Sequence, residues 1–513
     1  MPETGGTDVF DVAIVGYGPT GATLANLLGS AGLSVLVIEK EASIFALPRA
    51  IHFDGEVMRI FQSLGLKEEA LAISRPGIQG MHFVNAANET LMIRGGTAAL
   101  GPHGCANNYY FHQPELEALL RKGCERFANV TVCLEHELLS VAQDVTQDDD
   151  VATLSVHTRS TGETATFQAR YVVGCDGARS PVRKAMGSPL IDLGLRQPWL
   201  VFDVMLSRDV ALPTHTVQIC DPARPMTFCN VTGNRRRWEI MVMPGDDHEA
   251  LVKPESLWKL VSRWVTPADA TLERAAIYTF HSVIATGWRR GRLLLAGDAC
   301  HQTPPFLGQG MCAGIRDAAN LAWKLEAILQ GRADEELLDS YEEERSPHVR
   351  SLIELAVKLG SIIQTTDPAE AKARDEKFAA GGPEIFELPA QSLGGSYFQG
   401  ADHKAVGCPF PQPRLADGRW LDDVLGRRLT VIGHQDVIDH VSPEVARHWR
   451  SLDMQVMAQP DAAVLDWLHN RQVAAVIIRP DRYVLGVARN TQELEDISRH
   501  LPATQQLREE AAL

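Results

Sequence analysis

Long apolar runs are absent from this 513-residue chain: no segment approaches the about 18 apolar residues that a bilayer-spanning helix needs. No membrane association is expected. The opening MPETGGTDVF lacks the positive charge and apolar core of a secretory signal, so a reduced, cytoplasmic setting is the expectation. Nine cysteines are scattered without a CxxC pair or metal-ligand spacing, which argues against a disulfide framework and against a bound metal. Positive charge is scarce as well. Lys and Arg number 49 against 65 Asp and Glu, a formal charge of −16, and nucleic-acid phosphates reward the opposite balance. Nucleic acid is therefore excluded as a partner. The one notable basic cluster, Arg235-Arg236-Arg237, is expected on a solvated turn. The 45% apolar content suffices for the cores of two or three domains.

Three short motifs carry the chemistry. The first is GYGPTG at 16 to 21, which follows the apolar strand DVAIV and precedes the helical ATLANLLGSAG. Gly16, Gly18 and Gly21 suit a tight turn that lets backbone approach a pyrophosphate, with helix amides favouring its charge. A second strand, residues 33 to 38, ends at Glu39, 18 residues beyond Gly21. A carboxylate there can accept the hydroxyls of an adenosine ribose. This grip serves FAD and NAD alike.

The second motif is CDGARSPVR at 175 to 183 and the third GDACHQTPPFLGQGM at 297 to 311. Strand RLLLA delivers Asp298, a carboxylate placed to accept from a polyol such as a ribityl chain. PPFLGQGM then turns into a helix from about Met311, whose N-terminus would stabilise negative charge on a reduced flavin. Together the three motifs describe one FAD site.

In these motifs, over about residues 8 to 350, the chain resembles the single-component class A flavoprotein aromatic hydroxylases. The resemblance implies that Asp176, Gly177, Ser180 and Arg183 handle the FAD pyrophosphate and the nicotinamide donor. It implies that Arg49 in PRAIHFD reaches the FAD phosphates and that Gln113 lies near the ribityl and phosphate linker. It also implies that Gly308, Gly310 and Met311 border the flavin, with Cys312 in place of the asparagine many members carry. The segments ICDPARP, RRWEIMVMPGD and RPDRYV look like those of 3-(3-hydroxyphenyl)propionate and 3-hydroxycinnamate hydroxylases.

The fold expected is α/β. A Rossmann-like FAD-binding domain takes 1–184 and 286–365, and an antiparallel substrate-binding sheet is inserted at 185–285, where THTVQIC, MTFCNV and RRWEIMVM alternate. Residues 366–426, polar and glycine-rich, are expected as a linker or wrapping segment. Residues 427–513 resemble the thioredoxin-like C-terminal domain of the phenol hydroxylase branch. That stretch has no cysteine, which excludes thiol redox chemistry there and leaves packing or subunit contact, a homodimer included.

Only one GxGxxG occurs, so NADH or NADPH is expected to bind transiently at the FAD face. Family chemistry implies reduction of FAD, reaction with O₂ to a C4a-hydroperoxide and oxygen transfer to a small phenolic substrate. A phenol reacts faster as phenolate, and His52 is the candidate base, with Pro304 and Pro305 as a wall beside the flavin. Gln218, Cys220 and Thr227 alternate on strands that would line the pocket, and Arg196 or Arg224 could hold a substrate carboxylate. A flavin-dependent halogenase or reductase shares the first motif, but the WxWxIP segment usual in halogenases is missing. A flavin sensor without enzymatic activity would show no substrate-stimulated NADH oxidation.

Overall fold

The computed structural model describes residues 9–45, 49–95, 100–143, 151–387, 392–398 and 404–504, so most of the opening segment read for a signal lies outside it. No helix among the described residues is long and apolar enough to cross a membrane.

Five parallel strands, in spatial order Leu293–Leu295, Thr164–Gly174, Val9–Val15, Val35–Ile38 and Val130–Cys133, form the middle of an eight-stranded sheet. Parallel strands covered on both faces read as continuous apolar runs, and Val12, Ala13, Ile14 and Val35 to Ile38 are all buried. Register decides what the sheet presents. Val15 pairs with both Ile38 and Gly174, and Gly174 with Leu295. Four strands thus end level, and Gly16, Glu39, Asp176 and Asp298 fall one to three residues past those ends. The helices Pro19–Ser30 and Gly310–Leu329 pack into the same core beside this edge.

The second sheet has nine strands and reaches beyond the span expected for it. Its centre is the antiparallel set Ala270–Ala285, Leu190–Leu206, Arg235–Met241, Met226–Asn230 and Thr216–Ile219. Met81–Val84 then adds in parallel to Thr216–Ile219, followed by Thr90–Arg94 and, again in parallel, Glu384–Phe386. The sheet is therefore mixed, and the added strands cover an edge that 185–285 alone would leave open. Along each central strand alternate residues face opposite ways. Leu200, Phe202, Phe228, Trp238 and Ile240 pack with Leu257 and Val261 on the outer face. Trp199, Cys220 and Met241 pack with Phe306 and Leu307 on the inner face.

Residues 366–426 are more regular than expected. Asp367 caps a helix, Pro368–Gly381, by accepting from the amides of Ala369 and Glu370, with Pro368 in the first turn. That helix carries no apolar stripe; only Ala371 is buried, so periodicity could not reveal it. The segment does wrap the body. Arg374 donates to Cys220 O (2.7 Å), and Gln412 to His103 O (2.7 Å).

A third sheet of four strands, ordered Gln455–Met457, Thr430–Gly433, Ala475–Ile478 and Val484–Ala488, follows. The first pair is parallel and the others antiparallel, with apolar cores on both faces. Charged side chains tie this C-terminal part to the first sheet's helices. Asp422 accepts from Arg59 Nε (2.5 Å) and Nη2 (2.7 Å), both residues being buried. Arg479 and Lys324 lie 2.9 and 3.0 Å from Glu344, and Tyr483 donates to Glu56 (2.6 Å).

Removing one member of such a pair strands its partner, so Asp422→Ala should cost about 3–5 kcal/mol and lower the thermal midpoint; an unchanged midpoint would contradict the pairing. Burial alone would raise the Asp422 and Glu344 carboxyls, but Arg482 with Arg59, and Arg479 with Lys324, hold each down at about 2. A depressed folded pKa stabilises above the unfolded value and ceases to do so as pH falls through the folded one. Protease sensitivity at this interface should accordingly rise as pH falls from about 4 to 2 and stay flat between about pH 4 and neutrality.

Candidate active site

The edge is built by close backbone packing. Gly16 sits at φ +100°, and a Cβ there would lie 2.4 Å from Cys175 O; a Cβ at Gly21 would lie 2.0 Å from Gly16 O. Neither position admits a side chain. Gly18 differs: it caps Pro19–Ser30, and a Cβ there would meet nothing within 4 Å. No side chain caps that helix, so its first-turn amides face open space suited to a diphosphate.

Glu39 is oriented by two amides, Tyr17 N to Oε2 (2.8 Å) and Glu41 N to Oε1 (2.9 Å). Arg49 is exposed, 5.2 Å from the Phe45 ring. Gln113 is held against the Arg49 loop. Its Oε1 accepts from Arg49 N (2.8 Å) and Ala50 N (2.6 Å) while Nε2 donates to Glu117, so it fixes the Arg49 loop. Asp176 accepts from Val182 N (3.1 Å) through Oδ2, and its Oδ1 is buried. Ser180 caps the helix Pro181–Met186, and Arg183 donates to Ala299 O (2.7 Å), joining the second motif to the third.

Asp298 is the most open acceptor of the edge. Its carboxylate has no hydrogen-bond partner among the described residues and keeps access to solvent. Burial by surrounding protein raises its pKa, against the pull of His301 and Arg49. Behind it Asp317 accepts from Gly297 N (3.0 Å) and Arg345 Nε (2.9 Å), with His301 Nε2 2.6 Å away. These bonds anchor the third motif to the helix Gly310–Leu329. Cys300, His301 and Asp317 cluster closely, but the carboxylate is already taken by Arg345.

Pro304 is buried and Pro305 half-buried at the start of a short turn ending at Gly308, φ +63°. Gly310 and Met311 open the helix behind it, and Cys312, fully buried, points its thiol at Gly308 O (3.7 Å). His52 braces this turn instead of standing free. Nδ1 lies 3.2 Å from Gly308 O and Nε2 2.9 Å from Asn108 Oδ1, so a neutral ring, with one N–H, donates to one of these two oxygens. Burial lowers its pKa, as does Arg94, which keeps the ring neutral.

On the inner face of the nine-stranded sheet Thr227 donates to Gln218 Oε1 (2.5 Å), and Gln218 Nε2 contacts Met81 Sδ (3.4 Å). Both are buried. Cys220 is fully buried against Trp199 and Phe306. Of the two expected carboxylate clamps, Arg224 is not free for that work. Arg224 is paired with Asp246 because the turn at Asp221 aims it at the MPGD loop, and Arg196 is exposed. The Arg235–Arg237 cluster is not a solvated turn. It opens a strand, and Arg237 is buried with Asp203 (2.7 Å), donating also to Arg49 O (2.7 Å). Sequence reasoning passed over Arg94, which is buried and donates to Leu307 O (2.7 Å), because nothing in TLMIRGG marks it out.

An open glycine turn before a helix, an oriented acid after the second strand and a free carboxylate beside a third motif fit a dinucleotide with a polyol linker. A family model described as FAD binding domain matches residues 9–356, and one described as HcaD C-terminal domain matches 407–504. The chain belongs to the FAD binding domain family, and FAD is its cofactor. Within that family it is a class A flavoprotein aromatic hydroxylase.

It is 38% identical to a probable NADH-specific resorcinol 4-hydroxylase of Rhodococcus jostii, over 98% of this chain and 96% of the relative. It is 34% identical to a 3-(3-hydroxy-phenyl)propionate/3-hydroxycinnamic acid hydroxylase of Burkholderia vietnamiensis, over 92% of each. Among solved structures, aklavinone-11 hydroxylase in a ternary complex with FAD and aklavinone superposes with a TM-score of 0.80 at 22% identity, covering 96% of this chain and 99% of that one. At that identity the likeness is one of fold.

Asp298→Ala should yield a folded protein that loses most of its FAD, since the variant removes an acceptor without disturbing any protein hydrogen bond. Stoichiometric yellow colour at unchanged affinity would remove Asp298 from the site.

Proposed function

We propose that this protein uses NADH and O₂ to hydroxylate a small meta-substituted phenol, with 3-(3-hydroxyphenyl)propionate or 3-hydroxycinnamate as the first candidates. FAD, when bound, supplies hydride acceptance and transfer of one oxygen atom to the ring. The protein's part is placement. Asp298 and the Gly308–Met311 turn hold one side of the reaction space, and the inner face bearing Gln218, Thr227 and Trp199 roofs the other. Apolar neighbours such as Phe306 and Leu307 exclude water from the reacting carbon. The observation that carries the reading is the level ending of four parallel strands, which gathers all three motifs opposite that roof.

The domain division is proposed along the same lines: a Rossmann-like FAD-binding unit interrupted by the roof sheet, then a thioredoxin-like unit without redox cysteines. The four-strand order and the absence of cysteine after Cys408 support the latter. Resorcinol is the second reading. It is favoured by the relative at 38% identity and by the pairing of Arg224 with Asp246, which keeps that arginine from receiving a side-chain carboxylate. Both candidates share a hydroxyl and a meta substituent, and oxygen should enter ortho or para to that hydroxyl.

Substrate-dependent NADH oxidation with product mass analysis tests the proposal. A meta-phenol should accelerate oxidation and gain one oxygen, while phenylpropionate without a hydroxyl should give uncoupled oxidation and peroxide. Tight coupling with a polycyclic phenol alone would defeat the substrate class.

A further inference from the structure

We propose that Arg94 is the anion anchor of the substrate site, holding the phenolic oxygen as phenolate after its proton has passed to solvent. The proposal rests on the phenol-hydroxylating reading above.

Arg94 ends the strand Thr90–Arg94 and is 5% exposed. Nη1 donates to Leu307 O, and no other hydrogen bond engages the guanidinium among the described residues. No carboxylate of those residues lies within ion-pair distance. Its acidic neighbours are Asp54, which lies 2.5 Å from Arg316, and Glu387, which is exposed and forms no ion pair with it among the described residues. A buried cation facing only a carbonyl is costly unless an anion completes it.

Its buried surroundings supply no such anion. Tyr110 beside it is held neutral by burial, its hydroxyl 2.6 Å from Thr216 Oγ1. His52 lies between the next carbonyl along, Gly308 O, and Asn108 Oδ1. Arg94 therefore takes over the task first sought in a base: a phenol binds as its conjugate base because a cation, not a proton acceptor, meets its oxygen.

Position favours a phenolate over a substrate carboxylate. Arg94 is bonded to the Leu307–Gly308 turn, the wall against which the ring's reacting carbon must lie. The hydroxyl sits one or three ring atoms from that carbon, whereas the chain of a meta substituent extends away. Across the strand pair Arg94 opposes Met81, whose sulfur touches Gln218, so it borders the roof residues directly.

The test uses the oxidised, FAD-loaded protein without NADH and 3-nitrophenol as a coloured probe, at a pH below the probe's own pKa. Difference spectra should show the nitrophenolate band appearing on binding to wild type. Arg94→Met should weaken binding by about tenfold or more and leave the bound probe neutral, whereas Arg94→Lys should recover part of the band. Competition by phenylpropionate, which has a carboxylate and no hydroxyl, should be the same in wild type and Arg94→Met.

Binding of the neutral phenol by wild type would overturn the proposal, whatever the variants do. So would an unchanged band in an FAD-replete Arg94→Met, or loss of phenylpropionate binding with nitrophenol binding intact, which would make Arg94 a carboxylate clamp. Failure of wild type to bind either 3-nitrophenol or resorcinol is a separate outcome: it would remove the phenol reading itself, and the anchor with it.

Discussion

Everything at this site depends on two places where backbone meets backbone with no room for a methyl group. Gly16 against Cys175 O and Gly21 against Gly16 O let the first strand, its helix and the strand ending at Gly174 converge. Any side chain there would push the helix away from the sheet edge, and the amides of its first turn with it. Because Gly174 is also in register with Leu295, the same closeness sets where Gly297 and Asp298 emerge. The shape of this edge is thus fixed by main-chain packing, and Glu39 and Asp298 emerge on a frame already defined.

A second layer of bonds carries that frame outward. Asp317 ties Gly297 to the helix Gly310–Leu329 and to Arg345. From that helix Arg316 reaches Asp54 and Glu56, and Glu56 receives the Tyr483 hydroxyl from the C-terminal part. The roof is connected separately, through Arg237 to the Arg49 backbone and through Arg94 to Leu307. These are charged contacts in low-dielectric surroundings, where loss of one member is felt by the others.

What was legible in the sequence follows from what has a local signature. Glycines at fixed spacing, an acid 18 residues on and apolar runs for parallel strands each record a short-range constraint, so Gly16, Gly21, Glu39 and Asp298 could be placed from composition and order alone. Met81–Val84 could not: a four-residue strand joins the roof only because Thr216–Ile219 presents an edge more than a hundred residues later. The Pro368–Gly381 helix hid because its surface lacks a stripe, although Asp367-Pro368 was a readable cap. His52 was found by its nearness to Arg49 in sequence, but its two ring partners, Asn108 and Gly308, come from distant segments. Arg224 illustrates the converse. A lone arginine beside a turn gives no sign that Asp246 will claim it.

The ion pairs between the C-terminal part and the helices beneath the first sheet also bear on how such chains can be recombined. Arg59 with Asp422, Arg427 with Glu326 and Arg479 with Glu344 each join residues more than a hundred positions apart. A chimera that takes its C-terminal part from one parent and its FAD-binding part from another would inherit half of each pair. Unless both parents carry the same partners, the junction would bury charges without their counter-charges. The C-terminal part is therefore inherited together with its partner residues on the helices, and not as a cassette.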